Sequence, residues 1–449
     1  MTALIACLIT GAALCGAGAD GWTAGVSKAD ITPAEPVWMA GYASRDRAAE
    51  GTLHPLWVKA LALGDAEGRR ALIITSDILG FPKVVADRIF ERLEKSTGLD
   101  RAAIILNSSH THSGPVIDGS LMCIYPLAAA DREKIAQYTA VLEDKVAKAG
   151  EEALRAMVPV TLDAGNGVTR FAVNRRNNKE AEIASTHDLN GPVDHAVPVL
   201  RVTGADGALL AVLFGYACHN TTLCEQQWCG DYAGFAQLAV EAAHPGATAL
   251  FFAGCGADQN PIPRRTVSLA RQYGTELASA VETVLSEPMR GLAPSLKTAG
   301  VEVDLPLETP KDRAELEKIA AGDAGYLRRA AGEMLAELDA GRALPTSRVY
   351  PVRVWNIGGQ PLVALAGEVV AGYAVLAKQM LGTDAFVMGY SNDLVGYIPT
   401  AVIAREGGYE GDASQMIYGL PAKWSESIEP AICAAVREAA EKAGIPFKN

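Results

Sequence analysis

The sequence predicts an α/β protein built as one large domain, and three observations carry that prediction. Apolar runs of strand length recur along the chain, among them residues 102–106, 208–217 and 247–253. Stretches with helical periodicity fall between them, the alternation expected of sheets flanked by helices. No linker, repeat or low-complexity tract divides the 449 residues.

Residues 4–14 are apolar, and Ala17-Gly18-Ala19 ahead of Asp20 has the form of a cleavage site, so residues 1–19 read as a secretory signal peptide. Cys15 offers a lipoprotein alternative. Leu14 before it is bulkier than the small residue such a site uses, which favours cleavage after Ala19. No later stretch reaches the roughly 18 apolar residues that span a bilayer. The expected mature chain, residues 20–449, is therefore exported (periplasmic or extracellular) and soluble. Residues 58–63 and 70–77 read as strands joined by a turn at 65–68. Residues 84–97 read as a helix, and 131–157 as a long amphipathic helix with a stripe of Ile135, Tyr138, Val141, Val146 and Ala149. Strands follow at 208–217 and 247–253, then a helix at 266–285. Residues 310–341, rich in Ala, Glu, Leu and Arg, read as a helical surface insert. Strands at 349–356 and 361–366 and a closing helix at 427–443 complete the pattern.

Hydrophobic residues make up 49% and charged residues 20%, enough apolar matter for a substantial core. A net charge of −12 argues against nucleic acid or an anionic membrane surface as main partner. Of eight cysteines, six follow the leader, and none forms a C-x-x-C pair, which disfavours a zinc knuckle. Cys224 and Cys229 are the nearest-spaced disulfide candidates.

Candidate chemistry gathers where strands run out into polar loops, the usual place for a site in an α/β sheet. Residues 107–115 spell N-S-S-H-T-H-S-G-P after the apolar run 102–106. If strand geometry persists, His110 and His112 share one face. Two imidazoles so held suit zinc; a pair of hydrogen-bonded loop histidines is the alternative. His219, in A-C-H-N-T-T, is a third imidazole ligand or a satisfied strand-end histidine. Asp231, in G-D-Y-A-G, orients an imidazole through its other nitrogen or caps the helix that follows. Residues 253–261, A-G-C-G-A-D-Q-N-P, let backbone approach a ligand or form a tight turn. Glu368 follows the strand at 362–365, and Tyr390, Tyr397 and Tyr409 sit in Gly- and Pro-rich loops or serve as loop anchors. Two histidine stations, a strand-end glutamate and tyrosines make an N/O zinc set unlike H-E-x-x-H.

The segments N-S-S-H-T-H-S-G-P, A-C-H-N-T-T-L, G-D-Y-A-G, G-A-D-Q-N-P, A-G-E and G-Y-x-x-T…Y-E occur in the order found in the neutral (non-lysosomal) ceramidases, which this chain resembles. The opening G-V-S-K-A-D-I-T-P and M-A-G-Y are similar to the start of that family's catalytic domain. The resemblance runs from about Gly25 to Glu410. It implies a catalytic domain of central mixed β-sheets flanked by helices, with a zinc ion deep in a pocket. The implied reaction cleaves the amide of ceramide to sphingosine and a fatty acid. By resemblance, His110, His219, Glu368 and Tyr397 hold Zn2+, His112 and Tyr409 lie beside the reacting carbonyl, and Arg175 lines the substrate pocket. Asp231 and Asp258 are taken as supporting carboxylates.

Two departures stand out. The family's catalytic loop reads G-D-V-S-P-N, and Asp258-Gln259-Asn260-Pro261 places Asn260 where the serine belongs. An amide donates a hydrogen bond but is neither nucleophile nor proton carrier. The chain also ends at Asn449, so the C-terminal immunoglobulin-like domain of typical members is expected to be absent. The main expectation is an exported zinc-dependent amide hydrolase acting on a lipid or other small N-acyl compound. A non-catalytic or weakly active ligand-binding relative is the second, favoured by Asn260. Metal-dependent hydrolysis of an ester or phosphoester is the third.

Overall fold

A computed structural model of the chain describes residues 21–447. The signal peptide assigned to residues 1–19, Cys15 included, lies outside the described residues. Nine strands form one mixed sheet. Its long members are β1 (Trp22–Asp30), β2 (Trp57–Gly64), β3 (Arg70–Ser76), β4 (Ile104–Ser108), β5 (Val158–Val168), β6 (Ala196–Gly204), β7 (Leu209–Tyr216) and β8 (Thr248–Ala253). They lie in the order β8-β7-β6-β5-β1-β2-β3-β4, and the short Arg290–Gly291 pairs with β5. The two end pairs, β8 with β7 and β3 with β4, are parallel; the pairs between them are antiparallel. A second sheet holds β9 (Leu296–Pro306), β10 (Ser347–Ile357), β11 (Gln360–Leu365) and β12 (Phe386–Met388).

Side-chain alternation stacks these sheets into layers. On β2, Val58, Ala60 and Ala62 pack under helices α1 (Lys83–Thr97) and α2 (Ala129–Arg155), while Leu61 and Leu63 face the second sheet. On β8, Ala249 and Phe251 pack under α3 (Asp231–Ala243) and α4 (Val267–Ser286), while Leu250 and Phe252 meet Phe386 and Met388. The order is helix, sheet, sheet, helix. Both faces of β2, β3, β4, β7 and β8 are therefore covered, which is why these strands read as apolar runs, whereas β1 and β5 in the middle of the order alternate buried and open positions. Each fully buried Leu or Ile contributes ~1.5–3 kcal/mol over the exposed state.

The remaining helices are α5 (Arg313–Ala320), α6 (Gly325–Asp339), α7 (Ala371–Leu381), α8 (Ala401–Glu406) and α9 (Ile428–Lys442). Helices α7 and α9 cover the outer face of the second sheet. The insert at 310–341 is a helical hairpin, with Asp312 and Glu315 forming a reciprocal cap at the start of α5. It is not only a surface feature: Leu316, Ala330 and Met334 pack on Leu121, Ile124 and Tyr125. On α2 the buried stripe runs through Ile135, Thr139, Leu142, Val146 and Ala149, and Val141 is 50% exposed, one position out of phase. The six cysteines of the described residues are free, so Cys224 and Cys229 are not joined. Cys224 is exposed, while the buried Cys229 thiol lies 3.2 Å from Nε2 of His54.

The edge strands of the large sheet meet at their C-terminal ends. Asn107 on β4 accepts from the Ala253 N–H at 3.0 Å and donates to the Gly389 carbonyl at 2.8 Å. One side chain thus ties the ends of β4 and β8 to the loop after β12. The candidate site lies just beyond this junction.

Candidate metal centre

Strand geometry does not persist to the H-x-H pair. β4 ends at Ser108, and His110 takes a left-handed backbone, φ +59°. The chain turns there, and the turn rather than a shared strand face brings Nε2 of His112 within 3.3 Å of Nε2 of His110. Nδ1 of His110 donates to the Leu79 carbonyl at 2.7 Å, and Nδ1 of His219 to the Gly256 carbonyl at 2.9 Å. The second contact needs glycine, because a Cβ on Gly256 would come within 2.4 Å of the Cys218 amide nitrogen.

Glu368 enters from the second sheet. The short strand Glu368–Val369 pairs in parallel with Tyr397–Ile398, and the register sets Glu368 opposite Tyr397. Gly367 makes the turn with φ +73°, where a Cβ would sit 2.5 Å from the Gly396 carbonyl oxygen. Oε2 of Glu368 then lies 3.1 Å from Nε2 of His219 and 3.3 Å from Nε2 of His110. All three side chains are about 1% exposed.

The electrostatics of this cluster point to a cation. With both Nδ1–H groups committed to carbonyls, both Nε2 atoms present lone pairs toward a carboxylate oxygen. Burial, then Arg175, depresses His219 to about 4, and burial, then His110 and His219, holds His112 well below the usual imidazole range. Burial alone would raise Glu368, but the positive charge and Nε2–H donation that His110 and His219 bring when protonated pull it well below the carboxylate range. The carboxylate is thus stabilised by a cation on this side, proton or metal. Neutral imidazoles and an ionised carboxylate are the ligand-competent forms. Buried acceptors facing one another repel unless a positive charge lies between them. The ligand atoms of His110, His112 and His219 all lie within 4.8 Å of one another, a group able to hold a metal ion.

The wall is built around Arg175. Its Nε donates to Glu410 at 2.8 Å, Nη2 to the Tyr397 hydroxyl at 3.1 Å and Nη1 to Oδ1 of Asn260 at 3.3 Å. Its guanidinium also lies over the rings of Tyr397 and Tyr409, at 5.7 and 5.5 Å. The Tyr397 hydroxyl is 3.4 Å from Nε2 of His219. Asn260 sits in the short strand Gln259–Pro261, opposite Val173 of Ala172–Asn174. His112, packed against Tyr42 with ring centroids 4.7 Å apart and planes inclined at 52°, joins Arg175, Asn260, Tyr397 and Tyr409 around a cavity of ≈ 670 Å³. That is ample for a small ligand.

Eight of the ten residues singled out from sequence thus converge: His110, His112, Arg175, His219, Asn260, Glu368, Tyr397 and Tyr409. The two supporting carboxylates do other work. Asp231 meets no imidazole and accepts from the backbone of Leu223 and Tyr232 at 2.9 and 2.6 Å. Nor does it cap α3 as a side chain, since the helix begins at Asp231 itself with Gly230 as cap. Asp258 accepts from the Ala371 N–H at 2.8 Å and from Asn174 at 3.1 Å, holding α7 and the Arg175 segment together. Burial raises both carboxyls to about 6. Two participants escaped the sequence reading. Tyr418 donates to Oε1 of Glu368, and Arg45 donates to the His112 carbonyl at 2.8 Å. Neither belongs to a motif, so no spacing signal pointed to them.

Fold and site together define a two-sheet α/β protein with an imidazole–carboxylate centre at its converging strand ends. The chain belongs to the neutral/alkaline non-lysosomal ceramidase family, whose N-terminal model matches residues 22–258. Neutral ceramidase 1 of Arabidopsis thaliana is 24% identical over 61% of this chain and 36% of its own length. Neutral ceramidase 2 of the same plant is 32% identical over 20% of this chain and 12% of its own length. The chain thus spans about a third or less of these relatives. The crystal structure of neutral ceramidase from Pseudomonas aeruginosa superposes with a TM-score of 0.70 at 19% identity, covering 96% of this chain and 76% of that one. A ceramidase complexed with C2 gives 0.73 at the same identity and coverage. The fold is therefore shared along nearly the whole chain. Among the described residues, no helix is long and apolar enough to cross a membrane.

Proposed function

We propose that residues 20–449 form a zinc-dependent amide hydrolase, exported by the leader at 1–19, that cleaves an N-acyl lipid or related N-acyl compound to a free amine and a fatty acid. Family membership supports the reaction class, and one observation supports the metal: Oε2 of Glu368 and two committed imidazoles turn lone pairs on a single point. Imidazole nitrogen with a carboxylate and a phenol is a donor set that suits zinc better than the harder cations. His110, His219, Glu368 and Tyr397 would hold it. Zinc bound there supplies Lewis-acid polarisation of a carbonyl and acidifies water toward neutrality.

The chain's own residues do the rest. Arg175 engages Oδ1 of Asn260, which leaves the Asn260 amide hydrogens as uncommitted donors at the cavity wall. They can hydrogen-bond the oxygen of a scissile carbonyl, the role in which fixed donors favour developing negative charge. Neutral His112, in the same wall, offers one nitrogen as acceptor and one as donor, the property needed to pass a proton to a leaving amine. Tyr409, 50% exposed and edge-on to Tyr397 at 5.3 Å, forms the outer lip that positions the acyl compound. Glu410, buried between Arg175 and Arg176, fixes the guanidinium fork on which Asn260 and Tyr397 depend.

Asn260 also favours a second reading, a ligand-binding relative with little turnover, because its amide cannot replace a serine as nucleophile. Metal analysis combined with fatty-acid release from N-acylsphingosine and simpler N-acyl amines separates the two. Zinc-dependent release from any of them supports the hydrolase. Bound metal with no release from the whole panel supports the binder, and absence of metal overturns both.

A further inference from the structure

We infer that Tyr418 is a positioning residue of the metal centre: its hydroxyl occupies one oxygen of Glu368 and presents the carboxylate to the ion through the other alone. The inference rests on the reading that Glu368 holds a metal.

A carboxylate has two oxygens and can grip a cation with one or both. Here the two are divided. Oε2 faces the Nε2 atoms of His110 and His219, and Oε1 accepts the Tyr418 hydroxyl. That proton draws on the lone pairs Oε1 would need for a second bond to the ion. A one-oxygen grip leaves a position for water or substrate, which a catalytic zinc site requires and a closed structural site lacks. Outer partners of ligating carboxylates set metal affinity in this way.

Tyr418 is held in place for the task. It ends the turn Gln415–Tyr418, and its ring stands edge-on to Tyr397 at 6.1 Å and 80°. Gly396, with φ +117°, brings its backbone so close that an added Cβ would lie 3.3 Å from the Cβ of Tyr418. The ring also acts as a seal. Its outer side lines a separate cavity of ≈ 490 Å³, together with Leu394, Val395 and Asp393, which shares no lining residue with the mouth beside His112. The Tyr418 phenol therefore borders that second cavity and touches Glu368. Donor and seal can be separated, since phenylalanine keeps the ring and loses the hydroxyl.

The test uses the full-length mature protein and its Tyr418→Phe variant, loaded with cobalt(II) for visible spectra and with zinc for chelator competition. Loss of the donor is expected to let both oxygens of Glu368 reach the ion. The cobalt bands should then weaken and shift as coordination rises above four, and zinc should bind about 10-fold or more weakly, the low end for an outer partner. Melting of the chelated variant within a few degrees of wild type verifies its fold. A folded Tyr418→Phe with the wild-type cobalt spectrum and zinc affinity overturns the inference. Glu368→Gln keeps the two ideas apart. If it weakens zinc binding while Tyr418→Phe does not, only the positioning role fails; if it changes nothing, the metal reading itself fails.

Discussion

Oε2 of Glu368 lies 3.1 Å from Nε2 of His219, whose only N–H is already given to the carbonyl of Gly256. A neutral ring turns acceptor toward acceptor, and Nε2 of His110 stands in the same relation to Oε2 at 3.3 Å. Such a contact is stable in a buried site only with positive charge between the partners. The protein as purified should therefore contain about one equivalent of zinc per chain. The double variant His110→Ala/His219→Ala should contain none above background. Elemental analysis decides, and full metal in the double variant would remove these side chains from the site.

Glu368→Gln should act with opposite sign on the two forms of the protein. Loaded, it should release zinc more readily, because a neutral amide no longer offsets the cation's charge. Metal-free, the new amide can donate to the His219 lone pair that the carboxylate could only oppose. The chelated variant should then be as stable as wild type or better, by about 0.5–1.5 kcal/mol for one recovered hydrogen bond. A mere helix-cap role would instead cost about 1 kcal/mol and leave the metal in place. Chelator titration and paired thermal melts distinguish the outcomes.

A third prediction concerns pH. Asp393 is buried, and burial raises its carboxyl from 3.8 to about 7, against the opposing pull of Lys83. The folded state thus holds a proton that the unfolded state gives up, so this group costs stability progressively as pH rises from about 3.8 to 7. Asp393→Asn removes that cost. Relative to wild type, the variant should gain little at pH 4 and on the order of 2–4 kcal/mol at pH 8. Urea unfolding at both pH values tests it; a gain that does not grow with pH refutes the assignment.

Much of this fold was readable because several of its strands are covered on both faces. Residues 58–63, 70–77 and 247–253 announce themselves as apolar runs, and the observed strands differ by only one or two residues. Strand β5 stayed hidden for a physical reason. Its V-P-V-T-L-D-A-G-N-G-V carries a proline and two glycines, and Asp163 within it is satisfied only by Arg201 on the neighbouring strand. In the site, His110, His219 and Glu368 were legible because their side chains carry the chemistry. The orienting groups were not. Asp231 looked like the partner of an imidazole, yet the carbonyls of Leu79 and Gly256 fill that role, and a carbonyl leaves no trace in residue type. Tyr418 reaches Glu368 across 50 positions of sequence, a distance no local motif reports.

Asn260 decides between enzyme and binder. It stands in the cavity wall with Oδ1 taken by Arg175 at 3.3 Å, so its amide hydrogens are the groups available to a ligand. If water is the nucleophile and this wall only steadies the carbonyl, asparagine keeps the essential property, a fixed donor. Wild type should then release fatty acid from at least one N-acyl substrate in a zinc-dependent way. Asn260→Ser should change that rate modestly, within roughly 10²-fold, the lower range for one transition-state hydrogen bond. If instead a serine must attack or carry the proton, wild type should be inert and Asn260→Ser should switch activity on. Asn260→Ala serves as the reference, since it removes the donor and adds no hydroxyl. On the donor reading Ala falls below both Asn and Ser; on the nucleophile reading Ala and Asn are equally inert. Rates for the three forms, on one panel of N-acyl substrates at fixed zinc, separate the two chemistries, and activity confined to Asn260→Ser would overturn the hydrolase reading of the natural chain.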